Sequence, residues 1–433
     1  MKKVLIITYY WPPSGGAGVQ RWLKFVKYLR DFGYEPIIYT PSNGEMPVED
    51  LTLLKDIPAS IEILQQPIWE PYSVYKTFVG QKKEEKINTG FLTENKKPGL
   101  SQKLSVWIRG NFFIPDARRF WVKPSVKFLR QYISNHPIDA IVSTGPPHSM
   151  HLIARALHQK TAIPWLADFR DPWTKIDFYK DLMLTSWADA IHHKLELAVL
   201  REANRVVTVS PTLTAEMAIL AGANKVVTIT NGYDQDDLKP NDIPLDQVFS
   251  IAHIGTLVKT RNPLLLWEVI VELIDTLPEF SNHLQIKLVG KVDLKITQTL
   301  EDKGLLKYVK RIDYLPHDQI TAVQQQSQVL LLVINDTPNS KGILTGKLFE
   351  YLSAKRPIIG IGPVDGDAAQ VLNETGAGQM FSDKHKSELK EYLTNCFLQF
   401  KLGKLKVDNK NIEGYSRREL TRKLVNELNA ITS

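Results

Sequence analysis

The chain has 433 residues, 43% hydrophobic and 23% charged, with a formal net charge of +7 and one cysteine, Cys396. That is enough chain for two cores, and a lone cysteine excludes a disulfide framework and a cysteine-built metal cluster, which fits a reducing cytoplasm. No stretch approaches the roughly 20 apolar residues that cross a bilayer, and the modest basic surplus does not choose among nucleic acid, a membrane surface and phosphorylated small molecules.

In chain order, the opening MKKVLIITYYWPP has two lysines and an apolar run, but the run stops too soon for a secretory signal. Val4–Ile7 reads as the first buried strand. Gly15, Gly16 and Gly18 form a loop. Val19, Trp22, Leu23, Val26 and Leu29 make a helical stripe over 19–32, closed by Gly33. Pro36–Tyr39 is the next strand, completing a right-handed βαβ unit. Glycines there allow backbone N–H groups to approach an anion at a helix start, and Arg21 follows. A tight structural turn is the competing reading. The loop is not G-x-G-x-x-G, because Arg21 stands where the third glycine belongs, and Glu35 precedes the second strand. Nicotinamide dinucleotide binding is therefore disfavoured.

Residues 81–99 are charged and aperiodic and read as a solvent-exposed loop. Residues 104–122 interleave Trp107, Phe112, Phe113, Phe120 and Trp121 with Arg109, Arg118 and Arg119. This segment admits core, membrane-interface and nucleic-acid readings, with core expected for most of the aromatics.

Residues 139–143, 165–167, 205–209 and 226–229 are further strands, followed by the Asn231-Gly232 turn. After the first of these comes STGPPHSMH, with His148 and His151 three apart and no third ligand suitably spaced for a metal. After the second comes Asp168, Phe169, Arg170, Asp171. Arg170 between carboxylates is either a buried ion network or a phosphate or substrate clamp, with Asp168 or Asp171 orienting.

Residues 238–246, LKPNDIPLD, read as a linker. The α/β pattern restarts with strands at 249–254, 285–289, 329–334 and 357–361. Gly255, Thr256, Lys259 and Arg261 follow the first of these and form a second anion-site candidate, with an exposed basic loop as the alternative. In KGILTGKLFEYLSAKRPIIGIGP (341–363), Lys347 and Glu350 share one helix face, while Leu344, Leu348 and Leu352 occupy a core face. A lysine at a helix start opposes the macrodipole unless an anion sits there too. The plain alternative is a surface ion pair. A charged amphipathic helix over 415–431 closes the chain, and no internal repeat is present.

Two α/β units, a glycine loop after the first strand, and an anion loop with a Lys/Glu helix in the second unit resemble the retaining glycosyltransferases of family 4. The resemblance spans nearly the whole chain and is strongest over 251–378. It implies the GT-B fold: an N-terminal Rossmann-like acceptor domain (1–240), a C-terminal Rossmann-like donor domain (241–410), parallel sheets facing an inter-domain cleft, and a helix (411–433) crossing back to the first domain.

By the resemblance, Glu350 matches the second glutamate of the family's pair and holds the donor ribose. Gly342 stands in the place of the first, so the sugar contact either passes to the backbone around 342–345, including Leu344 and Thr345, or is lost. Arg261 matches the phosphate-binding lysine. Thr256 replaces the usual arginine, with Lys259 or Lys347 supplying charge. Arg170 falls at or beside a catalytic-pocket histidine of many members; it joins His148, Asp168 and Asp171, read from the residues themselves, as the candidate catalytic set. The loop of Gly15, Gly16, Gly18 and Arg21 would meet the diphosphate or an acceptor phosphate.

The implied reaction moves a sugar from a nucleotide-sugar co-substrate to a glycan, lipid-linked or surface-polysaccharide acceptor with retention. It needs no cofactor or metal and no nucleic acid. The implied place is the cytoplasm, with peripheral contact to an anionic inner membrane face. A GT-B nucleotide-sugar epimerase, using Asp168 and His148 as acid and base, and a non-catalytic sugar-nucleotide or nucleic-acid binder remain as alternatives.

Overall fold

The computed structural model describes residues 1–46, 48–70, 100–238, 243–313, 315–335 and 337–433. The loop expected over 81–99 and residues 239–242 of the expected linker lie outside them. The chain divides into two compact units: 1–230 with 420–433, and 231–419.

The first unit holds a seven-stranded sheet. Its strands are β1 (Lys2–Ile7), β2 (Tyr34–Pro41), β3 (Glu62–Gln66), β4 (Ala140–Gly145), β5 (Trp165–Phe169), β6 (Arg205–Thr208) and β7 (Val226–Thr228). Every pairing is parallel, in the order β3-β2-β1-β4-β5-β6-β7. Parallel strands are covered on both faces, so they read as unbroken apolar runs. Strand alternation sends Leu5 and Ile7 to one core and Val4 and Ile6 to the other. The helix Ala17–Leu29 covers the second of these with Val19, Trp22, Leu23 and Val26, and ends through a turn at Gly33, whose φ of 83° is left-handed.

The second unit repeats the plan with six strands: β8 (Phe249–Ile254), β9 (Leu284–Val289), β10 (Val309–Ile312), β11 (Val329–Val333), β12 (Ile358–Ile361) and β13 (Gly378–Phe381). They too are all parallel, in the order β10-β9-β8-β11-β12-β13.

Three strands were not anticipated: β3, β10 and β13. All three are sheet edges, and β3 and β10 have no fully buried residue. An edge strand is paired on one side and tolerates polar side chains, so its apolar signal is weak.

The division between units differs from the expected one at residue 240. It falls at Asn231, because Tyr233 already belongs to the second unit: its N–H donates to the Tyr415 carbonyl, its carbonyl accepts from Arg417 N–H, and its ring is buried in that unit's core. The final helix, Arg417–Thr432, places Leu420, Leu424, Val425 and Leu428 in the first unit's core. Lys2 Nζ donates to Thr432 Oγ1 at 2.8 Å, and Arg205 pairs with Glu427 at 2.8 Å.

The 104–122 segment spans the end of one helix (Leu100–Phe112) and the start of another (Arg119–Asn135). Trp121 is buried and stacks on Tyr39 at 4.8 Å, as core packing requires. Phe112 and Phe120 are exposed, correcting the core expectation for those two rings.

Candidate functional site

Each sheet reverses its strand order once, between β1 and β4 in the first unit and between β8 and β11 in the second. Ligands of open α/β sheets bind beyond the carboxyl ends of strands at such points. The sequence-derived candidates gather at these two places.

In the second unit, the chain leaves β8 at Gly255 and β9 at Gly290, with φ of 110° and 101°. Both φ values lie in the left-handed region that favours glycine. A Cβ on Gly255 would come within 2.4 Å of Lys347 Nζ, and one on Gly290 within 3.2 Å of the Gly255 carbonyl. The Lys347 ammonium therefore lies against the backbone at the end of β8. It springs from the first turn of the helix Gly346–Ser353, whose Leu348, Phe349, Tyr351 and Leu352 are buried. Tyr351 anchors the helix by accepting a 3.0 Å hydrogen bond from Ile254 N–H through its hydroxyl.

No carboxylate lies within ion-pair distance of Lys347 among the described residues. That removes the surface ion-pair reading of Lys347 and Glu350. Burial, then the nearby Arg261 charge, push the Lys347 ammonium down to about 8, against a smaller opposing effect of Glu350. Glu350 instead accepts from Gln324 Nε2 at 3.1 Å. Arg261, on the turn Lys259–Arg261, donates from Nε to Asn335 Oδ1 just past β11, spanning the reversal point. Lys259 and Thr256 are exposed.

Thr345 occupies the N-cap position of the Gly346–Ser353 helix, yet its hydroxyl makes no cap bond and is buried without a partner. Ser, Thr, Asp or Asn at this position ordinarily accepts from the first turn, so this one is oriented elsewhere. The Leu344 side chain is in the core, leaving only its backbone for a ligand. His253, on β8, hydrogen-bonds the Leu331 carbonyl through Nδ1, and burial and then the Lys347 charge hold it neutral, down to about 3.

The first unit's reversal point is arranged differently. Arg21 and Asp168 form a buried pair at 2.9 Å, with side chains 1% and 0% exposed. Asp168 also accepts from Trp22 Nε1 at 2.7 Å and Thr144 Oγ1 at 2.8 Å. The rest of the Arg21 guanidinium donates to the carbonyls of Thr230 and Ile229, both at 2.8 Å. Burial raises the Asp168 carboxyl, but Arg21 and the hydrogen bonds outweigh it and hold the group below its usual range. Arg21 is therefore no phosphate ligand and Asp168 no free acid or base. Both expectations are corrected, because each side chain's bonding capacity is engaged inside the fold.

Arg170 is similarly engaged. It donates to the carbonyls of Gly18 at 2.6 Å, of Gly145 at 3.3 Å and of Pro146, tying together the loops after β1 and β4. A Cβ at Gly18 would meet the Arg170 guanidinium at 3.0 Å, so glycine gives that side chain its room. Gly15 donates its N–H to the Val48 carbonyl and packs on Asp50, and Gly16 starts the helix at a φ of 95°. The glycine loop thus serves as the structural turn. Asp171 is exposed.

His148 is buried and stacks on Trp173 at 4.4 Å, while His151 stacks on Phe169 at 4.5 Å and bonds Ser143 through Nδ1. His148 Nδ1 and His151 Nε2 have no partner, and both lie near the Gly145 Cα, where a Cβ would meet them at 3.1 and 2.6 Å. Burial, followed by neighbouring positive charge, holds His148 well below its ordinary value and neutral.

Sequence reasoning missed Asn335, Gln324 and Trp173. Asn335 alone had a signal, being the first polar residue after the apolar run of β11.

Residues 105–232 match the family model described as a glycosyl transferase 4-like domain. No curated protein matches the chain. Among solved structures, HepE from Anabaena, in complex with UDP-glucose, is similar over 99% of this chain and 100% of its own, at 13% identity and a TM-score of 0.62. TarM from S. aureus, a variant in complex with fondaparinux, α-GlcNAc-glycerol and UDP, is similar over 99% and 100%, at 12% identity and 0.58. UDP-GlcNAc 2-epimerase from Methanocaldococcus jannaschii is similar over 99% and 100%, at 14% identity and 0.54. At these identities the likeness establishes the fold, which is GT-B.

Proposed function

We propose that this protein is a glycosyltransferase that moves a sugar from a nucleotide-sugar donor to a glycan, lipid-linked or surface-polysaccharide acceptor, with retention of anomeric configuration. The observation that carries the reading is Lys347: a partly desolvated ammonium with no protein carboxylate, at the start of a helix and at the strand-reversal point of the second unit. A donor diphosphate supplies the missing negative charge, and the helix N-terminus adds to its attraction. Arg261, held by Asn335, is the second cation, the Thr345 hydroxyl a donor to a phosphate oxygen, and Glu350 an acceptor for ribose hydroxyls.

In this reading the bond from the anomeric carbon to the diphosphate oxygen breaks while the acceptor oxygen bonds to the same face. The acceptor proton passes to the departing diphosphate. The protein contributes positioning and charge stabilisation of the leaving group, with no covalent nucleophile or metal assigned. The glycosyl transferase 4-like match over 105–232 and the UDP-bound state of the HepE and TarM structures support it. Acceptor binding is assigned to the first unit. A peripheral contact with an anionic membrane at the cytoplasmic side would bring a lipid-linked acceptor within reach.

The epimerase alternative lacks its acid in this pair. Asp168 is held ionised by Arg21, and His148 is kept neutral by burial.

A panel of nucleotide sugars incubated with and without glycan and lipid-linked acceptors, with products resolved by mass and anomeric configuration, tests the assignment. Free nucleoside diphosphate formed with an acceptor, and a retained anomer in the product, are expected. An isomerised nucleotide sugar without acceptor, or no donor binding at all, overturns it.

A further inference from the structure

The surplus positive charge of the chain is concentrated. Residues 100–136 contain seven lysines and arginines against one aspartate, Asp116, within a protein whose formal net charge is +7. Arg118 is buried against Glu70 at 2.8 Å, and four of the other six cations lie on the helix Arg119–Asn135. That helix carries no acidic residue. Arg119, Lys123, Lys127 and Arg130 follow i, i+4, i+8 and i+11, which places them on one face, and all four are exposed. No carboxylate pairs with them among the described residues. The ladder runs about 16 Å along the helix axis, at 1.5 Å per residue.

An apolar ridge adjoins the start of this ladder. Phe120 is 43% exposed, Phe112 57% and Trp69 58%. Trp69 meets the Phe120 ring edge-on at 5.0 Å, and Phe113 does so at 5.9 Å. Arg119 lies 5.9 Å from the Phe120 ring centre and donates to the Phe112 carbonyl at 2.9 Å.

We propose that this face, the Arg119–Arg130 ladder with the Phe120, Phe112 and Trp69 ridge, docks on an anionic lipid surface. Rings at headgroup depth with cations alongside are the arrangement that binds such a surface. A single-stranded nucleic acid would use the same charges but needs open ring faces for bases. Here Phe120 is crowded by Arg119, Trp69 and Phe113, which favours burial of the whole ridge in an apolar boundary. The inference deepens the membrane part of the proposed function and rests on it for its biological role. Vesicle binding itself requires neither donor nor turnover.

The test is co-sedimentation of the full chain with vesicles of phosphatidylglycerol mixed into phosphatidylcholine, of phosphatidylcholine alone, and with a single-stranded oligonucleotide. Binding to the anionic vesicles only, weakening as salt is raised, is expected. Lys123→Ala with Lys127→Ala should lower vesicle partitioning about 30-fold, because each surface cation contributes about 1 kcal/mol. Phe120→Ser should lower it about tenfold while leaving the salt dependence unchanged. These side chains are exposed, so the variants are expected to fold, and their nucleoside-diphosphate affinity should match the parent protein. Failure to bind anionic vesicles, equal binding to phosphatidylcholine, unchanged partitioning of the double variant, or oligonucleotide binding in place of vesicle binding overturns the proposal. Lost nucleotide binding with vesicle binding intact would instead sink the transferase reading and leave this surface standing.

Discussion

The two strand-reversal points share a plan and use their cations in opposite ways. In the first unit, Arg21 is closed by Asp168 and two carbonyls, and Arg170 by three more carbonyls from the flanking loops. In the second, Lys347 sits against Gly255 with no carboxylate within pairing distance, and the Thr345 hydroxyl of the same first turn is buried without a partner. A buried charge satisfied by its own fold holds elements together. One left unsatisfied lowers stability, and such groups concentrate where a ligand completes them. Partner inventory therefore separates the structural cations of this chain from the candidate binding cation, although the sequence offered all three as candidate ligands of an anion.

The comparison breaks most visibly in the first unit. Asp168→Ala would leave the Arg21 guanidinium buried without its counter-charge and strip Trp22 and Thr144 of their acceptor. The expected loss is about 3–5 kcal/mol of stability, as for other buried pairs deprived of one member, seen as a lower urea midpoint. Nucleoside-diphosphate affinity of the folded variant should be unchanged. Parent-like stability would mean that the Arg21–Asp168 pair does not hold β5 and the helix Ala17–Leu29 together.

Lys347→Met is the opposite case. It should weaken nucleoside-diphosphate binding by about 1.5–3 kcal/mol in calorimetry, the usual worth of a charge-assisted contact. Its urea midpoint should stay level or rise, since a partly desolvated charge is replaced by an apolar chain of similar length. Unchanged binding, or a large loss of stability, would place Lys347 with Arg21 among the structural cations.

Much of this was legible in the sequence. Interior parallel strands are buried on both faces, so VLII, FSIAHI and VLLLV announced themselves as apolar runs, and the edges β3, β10 and β13 did not. Lys347, Glu350, Gly255 and Arg261 could be named because helix phase and strand-end position are local properties. The roles of Arg21 and Asp168 could not. They stand 147 residues apart in the chain, and only tertiary packing brings them to 2.9 Å. The division at Asn231 was similarly hidden, because it depends on Tyr233 pairing with the backbone around Ser416.

The difference between the two reversal points also has a pH signature. Lys347 titrates near 8 in the free protein, below its ordinary 10.5, and a bound diphosphate favours the ammonium and raises that value. The complex then holds the proton more firmly than the free protein. Affinity should fall as pH rises through 8, by up to about tenfold per unit until the complex itself titrates. In Lys347→Met the curve should lose that step. For folding, the unfolded chain binds more protons between about 8 and 10.5, so this group makes stability rise with pH in that window. A pH-independent affinity in the parent protein would show that the ammonium does not meet the phosphate.

The smallest effect tests the finest detail. Thr345→Val keeps the shape of the side chain and removes only the hydroxyl. If that hydroxyl served the helix as a cap, its loss would cost stability; but it makes no cap bond, and its oxygen is buried without a partner. Replacing an unsatisfied buried hydroxyl with a methyl group should therefore leave the urea midpoint unchanged or raise it slightly. Nucleoside-diphosphate binding should weaken by about 1 kcal/mol, the worth of one ordinary hydrogen bond. Combining Thr345→Val with Lys347→Met should give less than the sum of the two losses, because both groups would act on one phosphate through the same helix turn. Full additivity would indicate that the hydroxyl and the ammonium contact separate groups, and the diphosphate would then have to be placed on Arg261 and Lys347 alone.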